Sequence, residues 1–199
     1  MVAELTPHIT NLDDRSETEP REECGVFGVW APGEEVSKLT YFGLFALQHR
    51  GQEAAGIAVG DDDSIVVFKD MGLVANIFDE SILASLQGNV AVGHTRYSTA
   101  GGKEWSNVQP MFGTSPSGVD IALGHNGNLV NYLELRAEAI ERGLIKPHEE
   151  SVSDSMCLSM LLADGVSEDV SVFESARALL PRVKGAFCLT FTDGHTLYA

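Results

Sequence analysis

A cysteine stands where the character of the chain changes. Residues 1–23 are polar, with seven acidic residues, two arginines and two prolines, and the apolar run Cys24-Gly-Val-Phe-Gly-Val-Trp30 follows directly. If residues 1–23 were removed, Cys24 would carry both a thiol and an α-amine. Reference pKa values of about 7.7–8.0 for the amine and about 8.5 for the thiol suit proton transfer between them at neutral pH. The alternative is that Cys24 is a buried cysteine of the first strand, as unpaired cysteines often are.

Two charged residues have the chemistry to hold an amino acid. Arg96 follows a buried apolar run in a chain that is poor in cations. Its planar guanidinium can bind a carboxylate through two hydrogen bonds, although an ordinary surface ion pair explains it too. Asp154 lies between two serines at the start of a predicted helix. It can bind a substrate ammonium, and helix capping is the alternative explanation.

One short segment contains residues that suit acyl transfer, and a second suits a helix end. Asn126-Gly127 follows a predicted strand and offers a side-chain amide and a backbone N–H, the donors of an oxyanion hole, although a simple turn also explains the pair. Arg50-Gly51 follows the first predicted helix, where both residues also suit a helix end. Cys157 and Cys188 are predicted to be core residues. The combined set of groups fits an α-amino acid with a side-chain carbonyl, and glutamine is the candidate.

Composition excludes several classes of protein. The 199 residues include 29 acidic and 13 basic side chains, for a net charge of −16, and such a surface repels nucleic acids and anionic membranes. Three cysteines are too few for a disulfide framework, and no apolar run approaches the roughly 20 residues of a membrane helix. The histidines and cysteines show no metal-ligand spacing, so no metal site is expected. We therefore expect a cytoplasmic protein that binds neither nucleic acid nor membranes.

Hydrophobic spacing predicts an α+β protein. Strands are predicted over 24–31, 54–59, 65–68, 90–93, 119–123, 187–192 and 196–198, and helices over 35–48, 79–87, 129–142, 154–163 and 168–183. Leu129, Leu133, Ala137 and Ile140 are predicted to form the buried face of the helix over 129–142. Residues 100–117 are expected to have little regular structure. Strands occur in runs with helices in pairs, which favours an α+β sandwich over a doubly wound sheet.

Five short segments, in order along the chain, resemble the class II glutamine amidotransferases. They are Cys24-Gly-Val-Phe-Gly28, Gln48-His-Arg-Gly-Gln52, Gly93-His-Thr-Arg-Tyr-Ser-Thr99, Gly124-His-Asn-Gly-Asn128 and Ser153-Asp-Ser155. The second and third segments are similar to the branch of the family that acts in purine synthesis. The resemblance implies the four-layer αββα sandwich of the N-terminal-nucleophile hydrolases. It also implies that residues 1–23 are a disordered propeptide and that residues 24–199 are a glutaminase domain, incomplete at its C-terminal end.

The same resemblance implies roles for seven residues. Cys24 matches the nucleophile that forms a thioester, with its own α-amine as the base, and Asn126 and Gly127 match the oxyanion-hole pair. Arg96 matches the residue that binds the glutamine carboxylate, and Asp154 the residue that binds the α-ammonium. Thr99 and Arg50 match supporting positions of the glutamine pocket. The residues after Arg96 match a loop that closes over glutamine.

In the purine-synthesis branch, a second domain uses the ammonia. The resemblance implies glutamine as substrate, an absent phosphoribosyltransferase domain as partner, and a homotetramer. It places Mg²⁺, and in some members an iron–sulfur cluster, outside this chain, and no cofactor is expected in residues 1–199. Two alternatives remain open: an amidotransferase with another acceptor, and a truncated module that binds glutamine without turnover. The uncut form is expected to be inactive.

Overall fold

A computed structural model describes residues 24–61, 64–97, 105–149 and 151–199 of the chain. The predicted propeptide, residues 1–23, and the predicted site residue Thr99 lie outside these ranges. Among the described residues, no helix is both long enough and apolar enough to cross a lipid bilayer.

Two antiparallel sheets of four strands each form the centre of the fold. The first sheet has the order β1-β4-β2-β3, with bounds Gly25–Trp30 (β1), Ala54–Asp61 (β2), Ser64–Met71 (β3) and Val90–Arg96 (β4). The second has the order β5-β6-β7-β8, with bounds Met111–Thr114 (β5), Asp120–Leu129 (β6), Gly185–Thr192 (β7) and Leu197–Tyr198 (β8). Strands β1, β3 and β4 contact strands of the second sheet, so the sheets pack face to face.

Helices cover the outer face of each sheet. The first sheet is covered by α1 (Val36–Ala46), α2 (Val74–Ile77) and α3 (Glu80–Ser85), and the second by α4 (Tyr132–Glu141), α5 (Asp154–Asp164) and α6 (Val172–Leu179). Short 3-10 turns occupy Gln48–Arg50, Trp105–Asn107 and Leu180–Arg182. The predicted α+β fold, a four-layer αββα sandwich, is therefore confirmed.

Small residues on β2 let the two sheets approach closely. Side chains alternate along a strand, so Ile57 faces the helices while Gly56 and Gly60 face the second sheet. A β-carbon on Gly56 would lie 2.3 Å from the carbonyl oxygen of Gln109, and one on Gly60 would lie 2.5 Å from the Cα of Gly194. Any side chain at these positions would push backbone out of the other layer, so β2 fixes the distance between the sheets.

One strand and one helix face differ from the sequence prediction. The region 100–117 contains strand β5, because Met111–Thr114 pairs with β6, a tertiary partner that leaves no local signal. The buried residues of α4 are Leu135 and Ala139, whereas Leu133 is 76% exposed and Ala137 is exposed. Leu129 belongs to β6, whereas Ile140 packs against the core as predicted. The rest of the predicted face is wrong because packing against α5 buries Leu135 rather than Leu133.

Candidate functional site: the end of the sandwich around Cys24

The register of β1 and β4 places Cys24 beside Arg96. Gly25 pairs with Thr95, and the two strands are antiparallel, so the residue before Gly25 lies next to the residue after Thr95. Cys24 is partly buried, and its Sγ lies 3.8 Å from the backbone oxygen of Tyr97. The candidate nucleophile and the candidate carboxylate-binding residue therefore lie at the same end of the first sheet.

Arg96 offers an unused hydrogen-bond donor. Its side chain is half-buried, and its Nη1 is buried without a hydrogen-bond partner among the described residues. Arg96 lies on the same side of β4 as His94 and Val92, which face the second sheet. A buried donor without a partner is unfavourable unless a ligand supplies the acceptor. This arrangement suits a bound carboxylate.

Asn126 reaches the same region from the second sheet. It lies on β6 on the same side as Gly124, which packs within van der Waals reach of Val92 and Val26 of the first sheet. The polar segments were expected after strand ends. Instead, β4 runs through Arg96, and β6 continues through Asn126 and Gly127 to Leu129. The interpretation of Asn126-Gly127 as a simple turn is therefore wrong.

Strand direction brings Asn126 and Cys24 to one end of the sandwich. Val92 packs near Gly124, and the next inward residue of β4, His94, places its Nε2 3.1 Å from the carbonyl oxygen of His125. Strands β4 and β6 therefore run in the same direction across the interface. Strand β1 is antiparallel to β4, so it is also antiparallel to β6. The start of β1, where Cys24 lies, is therefore at the same end of the sandwich as the C-terminal part of β6, where Asn126 lies.

Gly127 adopts a backbone conformation that other residues rarely take. Its φ angle is +147°. A β-carbon there would lie 2.3 Å from the carbonyl oxygen of Ala186 and 2.6 Å from the Cα of Phe187 on β7. Both the angle and the close approach require glycine. The Asn126-Gly127 peptide is therefore held in a special geometry inside a sheet, which suits preorganised hydrogen-bond donors.

Asp154 connects the end of β6 to the start of α5. Ser153 caps this helix by accepting a hydrogen bond from the Met156 N–H at 3.2 Å, so Asp154 is not the cap. The Asp154 Oδ2 accepts a hydrogen bond from the Leu129 N–H at 3.3 Å, and its Oδ1 accepts one from the Ser155 N–H at 2.7 Å. The side chain stays 22% exposed, which leaves the carboxylate within reach of a ligand.

Arg50 forms a hydrogen bond with the backbone of Cys24, the residue that carries the thiol. Its Nε donates a hydrogen bond to the Cys24 carbonyl oxygen at 3.0 Å. The following residue, Gly51, packs against the backbone of Thr95 and Arg96, where a β-carbon would lie 2.7 Å from the nearest atom. Gly51 has an extended backbone with φ of −153°, so it is not a left-handed helix cap. Its small size, rather than its conformational freedom, explains the glycine.

The predicted burial of the other cysteines is half right. Cys157 is buried in α5, and this burial raises the pKa of its thiol to about 11. Cys188 on β7 is exposed, so the prediction that it is a core residue was wrong. It pairs with Asn126, and directly paired residues point to the same side of a sheet, so Cys188 lies on the inner side of β7.

A buried polar network beside the site was not predicted from the sequence. It joins His94, Gln109, His125 and Ser155 around the backbone of His125. Burial lowers the pKa of His94 to about 3. Burial also lowers the pKa of His125, and the nearby carboxylate of Asp154 partly opposes this shift. Both rings are therefore neutral at physiological pH. The two histidines lie within segments that carry the family resemblance, whereas no local pattern pointed to Gln109.

The described residues contain no group of three or more histidine, cysteine or acidic side chains arranged to hold a metal ion. They do bring together Cys24, Asn126, Gly127, Arg96 and Arg50 at one end of the sandwich, with Asp154 at the end of β6. Thr99 lies outside the described residues, so its predicted role remains a prediction.

Several of the curated proteins that the chain resembles share one name. Proteins named amidophosphoribosyltransferase from Mycobacterium tuberculosis, Synechococcus elongatus and Bacillus subtilis are 59%, 48% and 40% identical to the chain. The alignments cover 90%, 90% and 80% of this chain but 34%, 36% and 34% of those relatives. The chain therefore spans about a third of the length of the curated relatives it matches. No protein-family model matches the chain.

Two solved structures share the fold. One is described as the structure of the allosteric regulatory enzyme of purine biosynthesis, with a TM-score of 0.74 and 37% identity over 84% of this chain. The other is glutamine phosphoribosylpyrophosphate amidotransferase from B. subtilis complexed with ADP and GMP, with a TM-score of 0.72 and 35% identity over 85% of this chain. Each match covers 35% of the longer chain. The sandwich is thus the N-terminal-nucleophile hydrolase fold.

Proposed function

This chain is related by sequence and fold to the N-terminal third of the amidophosphoribosyltransferases, their glutaminase domain, and we propose that it hydrolyses glutamine to supply ammonia. A second domain of the phosphoribosyltransferase type is proposed to use that ammonia to make phosphoribosylamine from phosphoribosyl pyrophosphate in purine synthesis. The relatives favour this acceptor over a sugar phosphate or aspartate.

The reaction proceeds in two acyl-transfer steps. The Cys24 thiol gives its proton to the α-amine of the same residue, and the sulfur attacks the side-chain carbonyl carbon of glutamine. The negative charge that develops on the carbonyl oxygen is met by the Asn126 amide and the Gly127 N–H. The C–N bond then breaks, ammonia leaves with the transferred proton, and a thioester remains. Water attacks the thioester, which releases glutamate and restores the thiol.

The substrate is held at its amino acid end. Arg96 binds the α-carboxylate and Asp154 binds the α-ammonium, while Thr99 and Arg50 support the pocket. The unpartnered Nη1 of Arg96, on the residue beside Cys24, is the observation that supports this proposal most directly. A buried guanidinium nitrogen without a partner is satisfied if the α-carboxylate of glutamine binds to it during turnover.

Activity requires a free amine on Cys24. We propose that residues 1–23 are a propeptide and that cleavage after Glu23 creates this amine. While the Glu23–Cys24 peptide bond is intact, the nitrogen of Cys24 is an amide and cannot accept a proton at neutral pH. The proposal also places Mg²⁺ and any iron–sulfur cluster outside this chain, and the assembled protein is proposed to be a cytoplasmic tetramer.

A glutamine analogue with a diazoketone in place of the side-chain amide tests the proposed nucleophile. It should add once to the mature protein at Cys24, and excess glutamine should slow this addition at least about tenfold. The Cys24→Ala variant should not be labelled, whereas Cys188→Ala, which removes the other non-buried cysteine, should be labelled like the parent. Labelling that persists in Cys24→Ala would refute the assignment, as would labelling that glutamine does not slow.

A further inference from the structure

The side chain of Gln109 grips the peptide backbone of His125, the residue before Asn126. Its Oε1 accepts a hydrogen bond from the His125 N–H at 2.7 Å, and its Nε2 donates to the His125 carbonyl oxygen at 3.1 Å. The same Nε2 lies 3.2 Å from the Ser155 Oγ. Gln109 is only 6% exposed, so water does not compete for these bonds. One side-chain amide therefore satisfies both backbone groups of a residue inside β6.

This contact replaces a missing strand partner. The backbone pairing of β5 with β6 begins at Met111 opposite Leu123, and the same register continued by two residues would place Gln109 opposite His125. At that position the side chain of Gln109, rather than its backbone, pairs with the N–H and the carbonyl oxygen of His125. On one edge β6 is held here by its pairing with β7, and on the other edge by the side chain of Gln109.

Gln109 is itself held by the first sheet. The Lys69 ammonium on β3 donates hydrogen bonds to the carbonyl oxygens of Val108 at 2.6 Å and Pro110 at 3.2 Å, the residues on either side of Gln109. The Gln109 carbonyl oxygen fills the space beside Gly56 on β2. Contacts from Lys69 through Gln109 to His125 thus connect the first sheet to β6 in the second.

The network continues toward the candidate ammonium site. The Ser155 Oγ, which Gln109 contacts, lies 2.8 Å from the His125 Nδ1 and donates to the Asp154 Oδ1 at 3.3 Å. A displacement of the Gln109 amide would therefore be transmitted to Asn126 through the backbone of His125 and to Asp154 through Ser155. Small displacements of oxyanion-hole donors lower acyl-transfer rates strongly.

We propose that Gln109 is a positioning residue for the hydrolysis of glutamine, which sets the oxyanion-hole strand without touching the substrate. This inference rests on the proposed glutaminase function. It differs from a general role in folding, because a positioning role acts on the step in which charge develops on the substrate oxygen. It should leave thiolate formation at Cys24 unchanged.

Kinetics of the Gln109→Met variant test the proposal in the mature full chain. Methionine has nearly the length of glutamine but makes no comparable hydrogen bonds. We expect kcat for glutamine hydrolysis to fall about 10- to 100-fold. Alkylation of Cys24 by iodoacetamide, which passes through no oxyanion, should stay within about twofold of the parent rate. Hydrogen exchange at the His125 amide should be at least about tenfold faster.

The control is Gln87→Met, because the Gln87 side chain is exposed and bonds locally to the Ala84 carbonyl oxygen at 3.3 Å. It should match the parent in all three measurements. A Gln109→Met variant with kcat within about twofold of the parent would overturn the proposal. So would an equal loss of turnover and of alkylation, which would indicate general structural damage. If the mature parent itself turns over no glutamine, the proposed function fails, and this is evident before any variant is made.

Discussion

The Nε of Arg50 donates a hydrogen bond to the carbonyl oxygen of Cys24 at 3.0 Å, across 26 positions of sequence. Cys24 precedes β1, whose pairing with β4 begins only at Gly25. Cys24 therefore lies outside the paired part of the strand, and the hydrogen bond from Arg50 holds its backbone in place of strand pairing. A residue that must attack a bound amide gains from such a restraint, because reaction rates depend on the orientation of the nucleophile.

Replacing this arginine should weaken catalysis more than folding. We expect Arg50→Met to lower kcat/KM for glutamine about 10- to 100-fold, because Cys24 loses a contact that orients it. Steady-state ammonia release measures the effect, and thermal unfolding shows whether the fold is retained. The matched control is Arg177→Met on the exposed side of α6, which should keep parental activity. Equal losses in both variants would argue against a specific role for Arg50.

Gly127 should tolerate no side chain. The Gly127→Ala variant combines a strained φ of +147° with a clash against β7, and we expect it to lower the free energy of unfolding by about 2–5 kcal/mol and to abolish turnover. Gly118→Ala separates the two causes, because Gly118 has φ of +86° with open space around it. It should lose only about 1 kcal/mol. Urea unfolding of the two variants gives the comparison, and similar losses would show that the contact with β7 is unimportant.

Stability should depend on the neutral state of His94. Burial is the main cause of its low pKa of about 3, and repulsion from the positive charges of Arg96 and Lys69 adds to it. In the unfolded chain the ring binds a proton near pH 6.5, whereas in the folded chain it does so only near pH 3. The free energy of unfolding therefore falls as pH drops from about 6.5 to about 3, and His94 causes no further loss below that range.

Denaturant unfolding at several pH values measures this contribution. Between about pH 6.5 and about pH 4, His94 should account for a loss on the order of 3 kcal/mol. In His94→Gln, whose amide can still donate to the His125 carbonyl oxygen, the pH dependence in this window should be shallower by about one proton. The exposed His148→Gln is the control and should retain the parental slope. Identical slopes in the parent and His94→Gln would disprove the assignment.

Removal of residues 1–23 should switch on activity. A chain that still begins at Met1 should turn over glutamine at least about 100-fold more slowly than one that begins at Cys24, because it lacks the base of the first step. Intact mass identifies each form, and ammonia release measures turnover. The matched control is a chain that begins at Glu23, which loses almost the whole leader but keeps the amide at Cys24, and it should stay as slow as the Met1 form. Full activity from a protein whose mass includes Met1 would contradict the mechanism.

The sequence predicted the sandwich because most strands and helices carry strong local patterns. The hairpin of β2 and β3 and the helix that begins at Asp154 are examples, and both are confirmed. Strand β5 was missed because its stability comes from pairing with β6. The buried face of α4 was wrong because tertiary packing against α5, rather than apolar spacing, selects Leu135 over Leu133.

The site was partly predictable for a different reason. Cys24 and Arg96 carry chemistry in their own side chains, so their types drew attention before the fold was known. Gln109 has no such signal, because its importance comes from meeting His125 on β6, just beyond the paired residues of β5. The polar runs at 94–96 and 124–128 were placed after strands because exposed polar residues usually lie there. They lie within strands, and alternate residues such as His94 and Asn126 face the opposite sheet rather than solvent.

The contact of Gly127 with Ala186 and Phe187 also bears on how such a protein can evolve. Positions 186 and 187 come about sixty residues later in the chain and are assigned no role with the substrate, yet their backbone sets the room available to Gly127, the proposed oxyanion-hole donor. A mutational library that keeps unchanged only the five segments that carry the family resemblance would allow insertions at these two positions. A shift of one residue in β7 would then disable the reaction while every chemically active side chain remained in place.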